Sequence, residues 1–112
     1  MLKVSITVPS LQRNSEPVAN RSTYLEGAVG HLCGVFGGCT ATDGVGSWMD
    51  DNGALVSEAV TVLTSFVDTD KVSPDETRET LESCARWIQD RMNQDCVLFT
   101  IETVDSVTWF KG

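Results

Sequence analysis

The sequence predicts an α+β protein with the ferredoxin-like βαββαβ order, in which a four-stranded antiparallel sheet carries two helices on one face. Two apolar stripes at helical spacing alternate with segments of strand character, and an Asn-Gly pair predicts a tight hairpin between two of those segments. With 112 residues, the chain fits a single domain, residues 1–112, built on one hydrophobic core.

The first strand is predicted over Leu2 to Val8, where apolar and polar residues alternate, and Pro9 ends it because proline lacks an amide proton. Residues 10–21 are polar and form a loop of about a dozen residues. A loop of that length in a compact domain is either functional or partly mobile.

The first helix is predicted to begin with Thr23 as the cap and Glu26 as its capping-box partner. Its apolar stripe comprises Leu25, Ala28, Val29, Leu32, Cys33 and Phe36, and Gly37-Gly38 ends it. Three glycines inside the helix indicate either close approach of a neighbouring group or simple tolerance by the core; they are Gly27, Gly30 and Gly34.

A hairpin is predicted between the segments 39–49 and 54–67, because Asn52-Gly53 favours positive φ at the turn. Both faces of the second of these strands carry apolar side chains, so both are expected to be at least partly covered.

The second helix has a clear start, in which Ser73 is the cap, Pro74 takes the first helical position and Glu76 closes the capping box. Its stripe comprises Thr77, Leu81, Cys84, Ala85, Ile88 and Met92. A last strand is predicted over residues 96–104, with a short strand extension over residues 107–110.

The helix-free face of such a sheet is expected to be apolar, with side chains supplied by the third and fourth strands. Burial of that face predicts a homo-oligomer, either a dimer or a larger assembly such as a hexamer.

Charge excludes some partners. Sixteen acidic residues against eight basic ones give a net charge of -8, which disfavours long nucleic acids and anionic membrane surfaces. No apolar run is long enough to span a membrane, and the alternating amino terminus is too short for a signal peptide. A cytoplasmic protein is therefore expected, in which the four cysteines are reduced and mostly buried thiols, with disulfides as the alternative.

No cofactor or metal site is predicted. Gly44-Val45-Gly46 lacks the context of a dinucleotide-binding loop, and the acidic residues near the hairpin match no known cation loop and are better explained by turn formation. Those acidic residues are Asp43, Asp50, Asp51 and Glu58. His31 is either a general base without an identifiable partner or an ordinary histidine of the surface or of a subunit interface.

Arginine and tryptophan supply the candidate binding residues: Arg13, Trp48, Arg86, Trp87, Arg91 and Trp109. Together they suit a pocket that stacks a base and pairs a phosphate. The alternative is that the tryptophans belong to the core or to a subunit interface.

One resemblance covers most of the chain. Phe36-Gly37-Gly38-Cys39-Thr40, Gly44-Val45-Gly46-Ser47-Trp48, Asn52-Gly53, Glu58 and Val60 resemble small phage proteins, as do Val8-Pro9, Arg13-Asn14 and the late segment Gln94-Asp95-x-Val97. Among such proteins is the anti-Thoeris sponge family, which sequesters cyclic ADP-ribose isomers.

The resemblance implies an oligomeric cytoplasmic protein of an infected bacterium that binds a cyclic nucleotide, a cyclic ADP-ribose isomer or a cyclic oligonucleotide, without cleaving it. Two alternatives remain. One is a small enzyme acting on a nucleotide or small metabolite, such as a phosphodiesterase or a lyase, through His31 or the acidic hairpin. The other is an oligomeric protein-interaction module.

Overall fold

The computed structural model describes the whole chain, from Met1 to Gly112. Its elements are β1 (Leu2–Val8), α1 (Arg21–Phe36), β2 (Thr40–Met49), β3 (Leu55–Val67), α2 (Pro74–Arg91) and β4 (Phe99–Thr103). The strands form one sheet in the order β2-β3-β1-β4, and every neighbouring pair is antiparallel. The predicted ferredoxin-like βαββαβ fold is confirmed.

The core lies between the helices and one face of the sheet. Pairing of Ile6 with Leu63 and of Val4 with Ile101 places these side chains on the face that the helices cover. Alternate residues of β1 are completely buried there, as the period-two pattern predicts. From the helices, the core receives Ala28, Leu32, Leu81, Cys84, Ile88 and Met92.

The opposite, helix-free face is less apolar than expected. Val56, Val60, Val62 and Phe66 of β3 share it with polar side chains from the other strands. The prediction that the fourth strand adds apolar residues is wrong, because β4 turns Phe99 and Ile101 toward the core. The remaining side chains of β4 on this face are polar, and the hydroxyl groups of Ser5 and Thr100 lie 2.6 Å apart.

The β2–β3 hairpin extends beyond the helix layer as an arm. The turn forms at the predicted place but is wider than the predicted tight hairpin, because residues 50–54 separate the two strands. Asp50 accepts hydrogen bonds from the amides of Asn52 and Ala54, and of the Asn52-Gly53 pair only Gly53 has a positive φ, of 78°. Nearly all of β2 is exposed, and Val45 and Leu55 are 74% and 70% exposed on the helix side of the arm. The expectation that both faces of β3 are covered therefore fails for its outer half in the isolated chain.

The two helices begin differently. Ser73 accepts a hydrogen bond from the Glu76 amide at 3.1 Å, which confirms Ser73 as the cap and the start of α2 at Pro74. The Glu76 side chain does not return a hydrogen bond to Ser73, so the predicted capping box is only half formed. The predicted start of α1 is wrong, because the helix begins at Arg21 and Thr23 already lies inside it. Asn20 precedes it in the left-handed conformation, with no side-chain cap, and accepts backbone hydrogen bonds from the amides of Thr23 and Tyr24 through its carbonyl.

The carboxy-terminal region contains less strand than predicted. Strand β4 begins at Phe99 instead of Cys96, and the predicted extension over residues 107–110 is not a strand. Trp109 and Phe110 are 71% and 89% exposed. No helix of the structure is sufficiently long and apolar to cross a membrane.

All four cysteines are free thiols, of which Cys84 is buried and Cys96 is exposed. Burial raises the pKa of the Cys84 thiol from 9.0 to about 11, and the neighbouring Cys39 thiol adds to this rise. A thiol that ionises more readily in the unfolded chain than in the folded one contributes stability below the lower pKa and loses it as pH rises through the higher one.

We therefore expect the free energy of unfolding to fall between pH 9 and pH 11, with Cys84 contributing about 2 kcal/mol of that fall. Urea unfolding across this range should show a shallower decline for Cys84→Ala than for the native chain. Cys96→Ala, which removes an exposed thiol, is the control and should keep the native slope. Identical slopes for all three proteins would contradict the prediction.

Candidate functional site

A groove of about 510 Å³ lies on the helix-free side, where β1 ends. Its walls are the hairpin arm, the loop after β1 and the segment that joins α2 to β4. Thr7, Trp48, Glu58 and Leu98 are among the lining side chains. The groove is therefore built from parts of the chain that are far apart in sequence.

Glu58 holds the loop after β1 in place. Its Oε2 atom accepts hydrogen bonds from the backbone amides of Ser10 and Leu11 at 3.0 and 2.8 Å, and the Ser10 hydroxyl lies 3.3 Å away. The other carboxylate oxygen makes no hydrogen bond within the chain. The carboxylate is thus fixed through one oxygen, and the second is available to a ligand in the groove.

Arg21 holds the same junction from the helix side of the sheet. Its guanidinium donates to the carbonyls of Pro9 and Val8 at 2.7 and 3.2 Å, and to the Thr61 hydroxyl at 3.0 Å. The Thr61 hydroxyl in turn donates to the Asp43 carboxylate. The positive Arg21 side chain thus binds backbone carbonyls at the end of β1 from one face of the sheet. The negative Glu58 side chain binds the backbone amides that follow from the other face.

The loop between β1 and α1 is ordered by further hydrogen bonds. Leu11 and Pro17 form an antiparallel bridge, and the Gln12 side chain donates to the Pro17 carbonyl. Asn93 and Gln94, just after α2, bind the loop through their side-chain amides, with Gln94 donating to the Leu11 carbonyl at 2.6 Å. Of the two predicted alternatives for this loop, its position at the groove favours a functional one.

The groove is acidic. Asp50, Glu58 and Asp95 line it, against the single positive charge of Arg13. The Arg13 guanidinium already lies 3.7 Å from the Asp95 carboxylate in an exposed ion pair. A cationic ligand therefore suits this groove better than an anionic one.

The structure does not bring the six predicted binding residues together. Arg13 and Trp48 line the groove. The other four lie elsewhere: Arg86 pairs with Glu82 and Arg91 lies beside Asp90, both on the exposed side of α2, Trp87 lies between the helices, and Trp109 belongs to the tail. The helices and the groove are on opposite sides of the sheet, so a pocket shared by Trp48, Arg86 and Arg91 is not formed.

Trp87 is a packing residue. Its ring meets the Tyr24 ring edge-on, with the centroids 5.8 Å apart, and covers Gly27. A methyl group on Gly27 would lie 2.8 Å from the Trp87 ring. Of the two predicted explanations of the helix glycines, close approach therefore holds for Gly27, whereas Gly30 and Gly34 face open space.

His31 and Trp87 line a smaller crevice of about 250 Å³ between α1 and α2, on the other side of the sheet from the groove. The acidic residues near the hairpin do not form one cluster. Asp43 and Glu58 lie on opposite faces of the arm, and Asp50 accepts the amides of the turn, as the turn-forming explanation predicts.

Sequence reasoning offered Glu58 only as one of the acidic hairpin residues of the alternative enzyme, and it did not place Ser10 or Gln94 in the binding site. A signal for Glu58 was present, because it interrupts the apolar face made by Val56 and Val60. A charged residue in such a row is kept when it has a structural partner or a ligand. No comparable local signal marks Ser10 or Gln94, whose roles depend on contacts with distant parts of the chain.

No protein-family model and no curated protein matches this sequence. Solved structures do share the fold. A phage SAM lyase in complex with S-methyl-5'-thioadenosine superposes with a TM-score of 0.70 at 12% identity, covering 90% of this chain and 79% of the lyase chain. A phage SAM lyase in the apo state gives 0.69 at 13% identity, covering 98% and 92%.

CutA of Pyrococcus horikoshii also shares the fold, with a TM-score of 0.62 at 15% identity, covering 96% of this chain and 88% of CutA. The predicted function of a non-cleaving sponge is wrong, because the phage structures that share the fold are those of SAM lyase, an enzyme. The expectation of a non-enzyme fails for the same reason. The resemblance to the anti-Thoeris family stays a prediction.

Proposed function

We propose that this protein is a lyase that cleaves SAM (S-adenosylmethionine) and releases S-methyl-5'-thioadenosine. The observation that carries the proposal is the acidic groove, in which one oxygen of Glu58 is held by backbone amides and the other makes no hydrogen bond within the chain. The fold shared with phage SAM lyase supports the same choice.

The charge of SAM fits the groove. SAM carries a positive sulfonium, and its amino group is also positive at neutral pH. A carboxylate in a partly enclosed groove attracts such groups more strongly than it would in water. The cyclic nucleotide expected from the sequence carries phosphate groups, which the carboxylates of this groove would repel.

Trp48 supplies a surface for the adenine ring. It stands on β2 opposite Val56, and its ring lines the groove. Stacking of a base on an aromatic side chain contributes about 1–3 kcal/mol to binding. Glu58 lies on the same face of the arm as Trp48. One molecule of SAM can therefore stack its adenine on Trp48 and place its sulfonium beside Glu58.

The proposed reaction needs no added reactant. The carboxylate of the methionine part attacks its own γ-carbon, a carbon–oxygen bond forms, and the bond from that carbon to sulfur breaks. The electron pair of the broken bond neutralises the sulfonium, so the leaving S-methyl-5'-thioadenosine requires no proton. The chain's contribution is to hold the amino-acid part in the folded conformation that brings the two reacting atoms together.

We propose that the enzyme works as a homo-oligomer. On the arm, Val45, Met49 and Leu55 are exposed on one side, and Val56 and Val60 of β3 lie on the other. Apolar surface of this kind is stabilised by burial, at about 25 cal/mol per Å² before the cost of association. A second copy of the chain is the partner that this proposal names.

The proposal is tested by incubating the purified chain with SAM and following the products by mass spectrometry. We expect S-methyl-5'-thioadenosine and homoserine lactone in equal amounts, at a rate well above that of SAM in buffer alone. 2-Aminobut-3-enoate in place of the lactone would indicate removal of a β-proton and still support a lyase. SAM that stays intact with a stoichiometric amount of folded protein would overturn the proposal.

A further inference from the structure

The carboxy-terminal tail is largely exposed in the isolated chain, where Val107 is half-buried and the residues after it are exposed. Residues 105–112 make no hydrogen bond, either through the backbone or through side chains. Trp109 and Phe110 are nevertheless among the most exposed large apolar side chains of the molecule. The segment Val107-Thr108-Trp109-Phe110 also has high strand propensity, although it forms no strand here.

At the other edge of the sheet, β2 presents an unprotected strand. It is ten residues long and pairs only with β3, so its outer backbone groups are unpaired. It contains no proline and no lysine, and its single charged residue, Asp43, is occupied with the Thr61 hydroxyl. Natural edge strands are usually protected by such residues, and an unprotected edge favours pairing with another strand.

We propose that the tail segment 107–110 adds as a strand to the outer edge of β2 in a second copy of the chain. The tail cannot reach that edge in its own chain. In the strand order, a strand added outside β2 lies four strand spacings from β4, which is about 19 Å. The chain from Thr103 to Val107 spans at most about 14 Å.

The side chains on both sides are complementary. Trp109 and Phe110 are adjacent, so in a strand they point to opposite faces of the sheet. One ring therefore lies beside exposed Val45 and Met49, and the other beside Trp48 at the groove wall. The pairing buries all of these side chains together and brings an aromatic ring of one copy to the groove of its neighbour.

This inference rests on the proposed assembly, and its test separates the two. The full chain is compared with a truncation after Ser106 and with the single variants Val107→Pro and Thr108→Pro. Successive amides of a strand point to opposite sides, so one of the two prolines removes a hydrogen bond to β2 and the other does not. Thr108→Ala, which keeps the amide, is the matched control.

Light scattering measures the mass of the oligomer. Amide hydrogen exchange over Thr40–Met49 measures whether the outer amides of β2 are protected by the tail of a second copy. We expect an oligomer, with exchange in β2 roughly tenfold faster after truncation and in one proline variant only. If the chain is an oligomer but amide exchange in β2 is the same with and without the tail, this inference is overturned and the proposed homo-oligomer is retained. A monomer would overturn both, and a monomer with protected tail amides would show the tail folded on its own β4.

Discussion

Glu58→Gln is expected to lower kcat/KM for SAM at least about 10-fold, mainly by raising KM, while leaving Tm close to that of the native chain. The effect falls on binding because the sulfonium loses its positive charge as the bond to sulfur breaks, so the carboxylate stabilises bound SAM more than the transition state. The glutamine carbonyl can accept the same hydrogen bonds from the amides of Ser10 and Leu11, so the loop stays in place. What the substitution removes is the negative charge that faces the sulfonium in the groove. The measurement is initial-rate kinetics with SAM, paired with thermal unfolding.

Glu79→Gln is the matched control for that variant, because it removes one negative charge from an exposed position of α2 and should leave kcat/KM unchanged. Glu58→Ala should lower Tm as well as activity, since the amides of Ser10 and Leu11 then lose their acceptor. Native activity in a folded Glu58→Gln protein would show that the charge plays no part in the reaction.

Trp87→Ala is expected to lower the free energy of unfolding by about 3 kcal/mol, and Tm by at least about 10 °C, without changing kcat/KM. Its ring packs on Tyr24 and Gly27 between the helices, on the other side of the sheet from the groove. The measurement is urea unfolding, together with SAM kinetics below the lowered Tm. Lost turnover at unchanged stability would instead place Trp87 in the binding site.

Gly27 provides a second readout of the same contact. In the native chain, Gly27→Ala forces the new methyl group against the Trp87 ring. In the Trp87→Ala background that collision is gone, and alanine should stabilise the helix by about 1 kcal/mol relative to glycine. Because the gain in helix propensity is present in both backgrounds, the difference between the two effects of Gly27→Ala measures the collision alone, which we expect to be about 1–3 kcal/mol. Equal effects in the two backgrounds would contradict the packing.

The sequence predicts those elements whose signals are local. The cap at Ser73 with Pro74 defines the start of α2, and Asn52-Gly53 defines the hairpin turn. The start of α1 is missed, because a distant contact decides it: the Arg21 guanidinium binds the carbonyls of Val8 and Pro9. A capping pattern at Thr23 and Glu26 does not outweigh that contact.

The binding site is predicted less well, for a related reason. Residue type alone suggests Arg13 and Trp48, which do line the groove, but it also suggests Arg86 and Arg91, which face solvent on α2. Two kinds of long-range information separate these residues. The pairing of β3 with β1 and β2 decides which strand residues face the groove, and the packing of α2 on the opposite face of the sheet removes the α2 residues from it. Spacing along the chain does not contain that information.

The hydrogen-bonded loop after β1 has a thermodynamic consequence for ligand binding. Its backbone is held by Glu58, Arg21 and Gln94 before any ligand is present. The conformational entropy lost in ordering about ten residues, each roughly 1–2 kcal/mol at 25 °C, is thus part of the free energy of folding. A ligand meets a wall of the groove that is already rigid, and its affinity is not reduced by having to order that wall.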